Sequence, residues 1–131
     1  MSGMEWIIDA QGCSGEALRD AELLHKFFEK IVDDLELHTV GETHWHQFPG
    51  SGGITGLCLL SESHLTCHTF PEYGSLCLNL FSCVARPKWD FEKHLIEFFS
   101  ATSVDIRRIE REYAFPAAFE GAAATEETRL K

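Results

Sequence analysis

The distribution of apolar residues along the chain predicts an α+β domain: a two-layer sandwich, with a mostly antiparallel sheet carrying two helices on one face. Three observations carry this. Leu24, Phe27, Phe28, Ile31 and Leu35 recur at helical spacing, and so do Trp89, Phe91, Leu95, Phe98 and Phe99. Six shorter stretches read as strands, in the order β-α-β-β-β-β-α-β. Pro71-Glu72-Tyr73-Gly74 separates two of them and would fold one strand back on the other.

Taken in order, Glu5–Ala10 is a strand ended by Gln11-Gly12, and a turn follows around Ser14-Gly15. Asp20 has the chemistry of an N-cap, and Glu22, Lys26, Glu29, Lys30 and Asp33 lie outside the first helical stripe. Leu37–Phe48 reads as a strand interrupted at Gly41. Pro49–Gly53 is rich in glycine, but no Gly-Lys-Ser or Gly-Lys-Thr follows, so it is a turn and not a phosphate-binding loop. Ile54–Leu60 is a near-continuous apolar run, as expected of a buried strand. Leu65–Phe70 and Leu76–Cys83 form the next hairpin. Pro87 precedes the second helix, and Val104–Ile109 is a last strand. Residues 1–113 form a single domain on this reading, and the Ala-, Glu- and Thr-rich segment 114–131 is expected to be a mobile tail.

The 131 residues suffice for one core, and 44% hydrophobic with 24% charged residues is an ordinary globular composition. A net charge of −10 argues against nucleic acid as a partner, because phosphates would be repelled. Cys13, Cys58, Cys67, Cys77 and Cys83 are odd in number and form no Cys-x-x-Cys pair, so free thiols in a reducing compartment are expected. No apolar run approaches the roughly 18 residues of a membrane span, and the first residues lack a signal-peptide pattern. A cytoplasmic protein with no membrane or nucleic-acid partner is the expectation.

Reactive side chains concentrate between Leu60 and Cys83. If the strand ran straight through this stretch, Ser63 and Leu65 would face one way, and Glu62, His64 and His68 the other. Three chemistries fit these residues. His44/His46 and His64/His68 could each place two metal ligands on one strand face, but a zinc site needs a third ligand and an orienting shell, and no metal is expected. Cys83 or Cys67 could be a nucleophile beside a histidine, although strand cysteines are more often inert small hydrophobes. The third chemistry belongs to the Glu62–Ser63 junction. A serine hydroxyl can attack the carbonyl of its own preceding peptide bond, and elimination from the resulting ester would cut the chain and leave a pyruvoyl group, an electron sink. Glu-Ser pairs are common, so spacing alone does not choose among the three.

The segment Ser61-Glu62-Ser63-His64-Leu65-Thr66-Cys67-His68-Thr69-Phe70-Pro71-Glu72-Tyr73-Gly74, followed by Phe81-Ser82-Cys83, resembles the signature of the prokaryotic S-adenosylmethionine decarboxylase proenzymes. The similarity extends over Trp6–Cys13, His46-Gln47-Phe48, Gly53–Leu60 and the Trp89 helix. It implies self-cleavage between Glu62 and Ser63, with a pyruvoyl group formed from Ser63 that holds substrate as a Schiff base. It assigns His68 to processing as a base and Cys83 to proton donation, and it gives Thr55 an assisting part in processing. Phe48 is placed near adenine, Glu72 near the ribose hydroxyls, and Asp9 at the edge of the site. A homodimer of cleaved protomers is implied, acting on a small molecule and supplying an aminopropyl donor for polyamine synthesis. The chain departs from the family pattern at Thr55, where serine is common, at Phe70 in place of tryptophan, and at Cys67 in place of a β-branched residue. The loop before Ile54 is slightly longer than usual. These departures leave the processing residues intact and open the alternative of a relative that decarboxylates ornithine or arginine; a non-catalytic regulatory paralogue is a further alternative, against which the presence of Ser63, His68 and Cys83 argues.

Overall fold

The computed structural model describes residues 2–113; the expected tail, 114–131, lies outside the described residues. One six-stranded sheet organises them. Its strands are β1 (Ser2–Gln11), β2 (His44–Gln47), β3 (Ile54–Leu60), β4 (Ser63–Phe70), β5 (Ser75–Ser82) and β6 (Ser103–Glu112). Their order is β2-β3-β4-β5-β1-β6, and every pairing is antiparallel. The helices are α1 (Gly15–Leu18), α2 (Ala21–Asp34) and α3 (Phe91–Phe99).

Alternation in the strands sets the two faces. Trp6, Ile8, Ala10, Leu65, Cys67, Leu76, Leu78 and Leu80 point to one side and are buried with Leu24, Phe27, Phe28 and Ile31 of α2 and Phe91, Leu95 and Phe99 of α3. Burying side chains of this size contributes about 1.5–3 kcal/mol each before the loss of chain entropy. Phe27 is the centre of this layer, with its ring edge-on to Phe98 and Phe99 at centroid distances of 5.2 and 5.1 Å. The two-layer α+β expectation holds, with both long helices on one face.

The ends of the helices follow from local chemistry. Asp20 caps α2 by accepting from the Leu23 N–H at 3.1 Å, and Asp90 caps α3 in the same way from Lys93 at 3.0 Å. Trp89 therefore stands just outside α3. Its ring stacks on His94, with centroids 4.1 Å apart, and its Nε1–H donates to Asp34. The turn expected at Ser14-Gly15 is instead the short helix α1, because the Ser14 hydroxyl caps it by accepting from Ala17 N–H.

The strand expected over Leu37–Phe48 shrinks to His44–Gln47. Leu37 is buried and Thr39 makes a single bridge to Leu60, but the segment leaves the sheet at Gly41, where φ is +72°. Gly56, opposite Trp45 on β2, has no room for a side chain: a Cβ there would lie 2.4 Å from the indole. Cys77, expected in the core as an apolar strand residue, is exposed, because its odd position on β5 turns it away from the helices. Cys58 is buried as expected.

Candidate functional site

The helix-free face of the sheet is open, and one row of aligned residues crosses five strands on it. His46 on β2 stands opposite Thr55 on β3, Thr55 opposite His68 on β4, His68 opposite Cys77 on β5, and Cys77 opposite Asp9 on β1. Within the row, Thr55 Oγ1 is 2.5 Å from His68 Nδ1. Asp9 accepts from Arg107 at 2.9 Å and, together with burial, holds the Cys77 thiol above its ordinary range.

At the β2 end of the row the chain builds a cleft of about 310 Å³ lined by Phe48, Ser51, Gly53, His68, Thr69, Phe70 and Glu72. The loop carrying Phe48 is closed by hydrogen bonds from Phe48 N–H to Gly53 O (2.7 Å) and from Gly52 N–H to Phe48 O (3.1 Å). Arg19 and Gln47 tie the same loop down through Ser51 O and Gly52 O. Phe48 is 40% exposed and lies against His46 and His68. Phe70 also packs on His68, its ring tilted at 59° with centroids 4.3 Å apart. Glu72 sits in the 3-10 turn Pro71–Tyr73, which Gly74 ends at a left-handed φ of +62°. Phe48, Glu72 and His68 therefore share one cleft, and Asp9 and Thr55 line its continuation along the sheet with His68 and Cys77.

Ser63 is not in that cleft. β3 and β4 are joined by a tight turn at Ser61-Glu62, with Leu60 opposite Ser63. The Glu62–Ser63 peptide bond thus lies at the tip of a hairpin, between the two strands expected at Ile54–Leu60 and Leu65–Phe70. Glu62 consequently does not face outward with His64 and His68; its side chain is 5% exposed. Ser63 carries a φ of +151°, a backbone conformation that side-chain-bearing residues rarely adopt and that costs on the order of 1–3 kcal/mol.

Two groups converge on this strained bond. The Cys83 backbone N–H donates to the Glu62 carbonyl oxygen at 2.8 Å, and the Ser63 hydroxyl lies 3.1 Å from His64 Nδ1. Cys83 is exposed beside them. His64 enters the sequence analysis only as half of a possible metal pair; its contact with the Ser63 hydroxyl is visible only in the structure. Cys67 is excluded as a nucleophile: burial pushes its thiol up to about 12, although a hydrogen bond with Gly56 pulls slightly the other way. Among the described residues, no three His, Cys, Asp or Glu side chains are grouped to hold a metal ion.

Fold and site together define a small α+β protein whose reactive groups gather on one of its own peptide bonds, with a ligand-sized cleft at the far end of the same strand. The profile of the S-adenosylmethionine decarboxylase family matches residues 4–112. The chain is 35% identical over 113 residues to an S-adenosylmethionine decarboxylase proenzyme of Clostridium kluyveri, covering 83% of this chain and 86% of the relative. It is 32% identical over 111 residues to the proenzyme of the same name from Picrophilus torridus, with 83% of each chain covered. Its fold is similar to the crystal structure of the adenosylmethionine decarboxylase from Aquifex aeolicus, with a TM-score of 0.71 at 23% identity over 87% of this chain and 93% of that one. The chain belongs to the S-adenosylmethionine decarboxylase family.

Proposed function

We propose that the protein is a self-processing, pyruvoyl-dependent decarboxylase of S-adenosylmethionine. The observation that carries this reading is the Glu62–Ser63 bond: strained at Ser63, its carbonyl held by Cys83 N–H, its hydroxyl next to an imidazole. Each is a requirement of an N-to-O acyl shift. Ser63 Oγ attacks the Glu62 carbonyl carbon and passes its proton to His64 Nδ1, and the oxygen that gains charge is stabilised by the Cys83 N–H. The C–N bond then breaks and the Ser63 nitrogen takes up the proton, leaving an ester and a free amine.

The second step removes the Cα proton of residue 63, forms the Cα–Cβ double bond and expels the Glu62 carboxylate. Addition of water and loss of ammonia leave the ketone. His68 is the base for the Cα proton, oriented by Thr55. Once formed, the pyruvoyl group supplies an electron sink for decarboxylation. The cleft residues hold the substrate: the Phe48 ring offers a face to adenine, Glu72 a carboxylate to the ribose hydroxyls, and Cys83 a proton for the carbon that loses CO₂.

Five positions of β4 separate Ser63 from His68, about 16 Å at the rise of an extended strand. His68 lies on the open sheet face, which exposes Leu57 (51%) and Leu59 (58%), with Ile7 and Phe81 partly exposed beside them; Ser63 stands at the turn, in register with the buried Leu60 and Ser82. A second copy of the chain packed on this face would cover those residues and bring the partner's cleft to Ser63, so the proposed active form is a homodimer. The sulfonium substrate suits an acidic chain, and its product would serve as an aminopropyl donor in polyamine synthesis. The five cysteines are all free, which suits the cytoplasm, and among the described residues no helix is long and apolar enough to cross a membrane.

The test is an intact-mass measurement together with CO₂ release from carboxyl-labelled S-adenosylmethionine, ornithine and arginine. Two fragments cut at 62/63 and turnover of the sulfonium substrate are expected. Of the two carboxylates that a basic amino acid could use, Asp9 and Glu72, Asp9 is already paired with Arg107, which leaves Glu72 and favours the sulfonium substrate.

A further inference from the structure

Glu62 gives the processing reaction its carbonyl, but its side chain has no part in the steps above. That side chain is nonetheless among the most heavily bonded in the protein. Its Oε2 accepts from His38 Nδ1 at 2.6 Å and from Arg86 Nη2 at 3.0 Å, and its Oε1 accepts from the His38 backbone N–H at 3.0 Å. Burial opposes its charge, but the bonds from His38 outweigh that and hold the carboxyl at about 2.

The partners come from the two segments that flank the scissile turn. The segment 38–40 runs beside the end of β3, with Ser61 N–H donating to His38 O at 2.8 Å and Val40 N–H to Leu59 O at 2.9 Å. On the other side, the segment 83–86 supplies both the Cys83 N–H on the Glu62 carbonyl and the Arg86 guanidinium on its carboxylate. Ser82 stiffens that segment by donating to Val84 O at 2.6 Å. Glu62 is therefore gripped at both ends, by its main chain and by its side chain, and the plane of the 62–63 peptide bond has little freedom to turn.

Stability alone does not call for this arrangement. It desolvates a carboxylate and a guanidinium, and Arg86 Nε–H is buried with no hydrogen-bond partner. An apolar pair of the same volume would hold the turn about as well without leaving a donor unmet.

We infer that His38 and Arg86 are positioning residues for self-processing: their grip on the Glu62 carboxylate fixes the scissile carbonyl against the Cys83 N–H and in reach of the Ser63 hydroxyl. The inference rests on the self-processing reading and assigns the pair to its first step, the acyl shift, and not to the elimination.

The experiment follows the full-length chain after cell-free synthesis by intact mass, with and without hydroxylamine, which cuts an ester but not an amide. Arg86→Met and His38→Ala should slow the appearance of fragments about tenfold or more, since small misplacements of reacting groups cost that much. Hydroxylamine should release nothing extra, because the block comes before the ester forms. Arg86→Lys, which restores one charged donor, should recover part of the rate. Melting of Arg86→Met in an uncleavable Ser63→Ala chain should show a chain still folded at the assay temperature, with any loss of stability against Ser63→Ala alone too small to account for the slowing. Wild-type rates in both variants overturn the inference, as does accumulation of a hydroxylamine-sensitive ester. A slowing matched by an equal loss of folded chain also overturns it. If Arg86→Met does not fold, His38→Ala decides, because the His38 side chain is 69% exposed and its removal opens no core. A wild-type chain that stays whole in the same run overturns the self-processing reading itself, and this inference with it.

Discussion

Ser63 and His68 stand on one strand, Ser63 opposite Ser82 and His68 opposite Cys77 on β5, so that within a single chain the hydroxyl and the imidazole cannot touch. The proposed homodimer, in which the site is shared, has a direct consequence. Co-expressed Ser63→Ala and His68→Ala chains should complement: the Ser63→Ala subunit keeps its His68 and presents it to the intact Ser63 of its partner. Mass spectrometry of the mixed dimer should find the His68→Ala chain cleaved and the Ser63→Ala chain whole. If His68→Ala chains remain uncleaved in mixed dimers, His68 does not act across the interface.

Substitutions of His64 and His68 should fail at different stages. His68→Ala should slow elimination about a hundredfold or more and accumulate an ester that hydroxylamine cleaves. His64→Ala should slow the acyl shift and accumulate no ester, because the group 3.1 Å from the Ser63 hydroxyl is gone. Ser63→Ala should never be cut. An ester trapped in His64→Ala would move His64 out of the first step.

In the proposed mechanism Cys83 contributes a backbone N–H to processing and a thiol to turnover, and substitution separates the two. Cys83→Ala keeps the N–H on the Glu62 carbonyl, so fragments should form. Decarboxylation should fall and the protein should inactivate during turnover, since misplaced protonation leaves the substrate's amine on the protein. Sustained wild-type turnover in Cys83→Ala would take the thiol out of the mechanism.

The grip on Glu62 sets a pH window. Its carboxyl titrates at about 2 in the folded chain against an ordinary value of 4.5, so the folded state binds fewer protons than the unfolded one in between. The stabilisation is present in full above pH 4.5 and is lost as pH falls from 4.5 towards 2. In the uncleavable Ser63→Ala chain, denaturant titrations should show this loss, and adding Glu62→Gln should remove the slope in that window. An unchanged slope in the glutamine variant would assign the acid sensitivity to other carboxylates.

Phe48 is fixed by its loop and half-open to the cleft, so Phe48→Ala should raise KM for S-adenosylmethionine about tenfold, equivalent to roughly 1.4 kcal/mol of stacking and burial. Its kcat should change less. Turnover of ornithine or arginine with none of S-adenosylmethionine would reassign the substrate and leave the processing chemistry in place.

The periodicities of the chain by themselves determined the two layers, the six strands and the two long helices, because apolar spacing at 2 or 3.6 residues survives in any context that buries one face. The reactive stretch was also legible, since Glu62, Ser63, His68, Glu72 and Cys83 fall within a short run of sequence. What the linear pattern could not hold was what the break at Ser61-Glu62 brings together. A two-residue turn there reverses the chain and buries Glu62 between His38 and Arg86, which lie 24 residues away on either side. It also brings His64 and Cys83 to the scissile bond. These are long-range hydrogen bonds with no periodicity of their own. The same holds for the row from His46 through Thr55, His68 and Cys77 to Asp9, which exists only because the strand order β2-β3-β4-β5-β1 sets those residues side by side. Sequence spacing assigned each side chain to a strand, and strand pairing decided which of them meet.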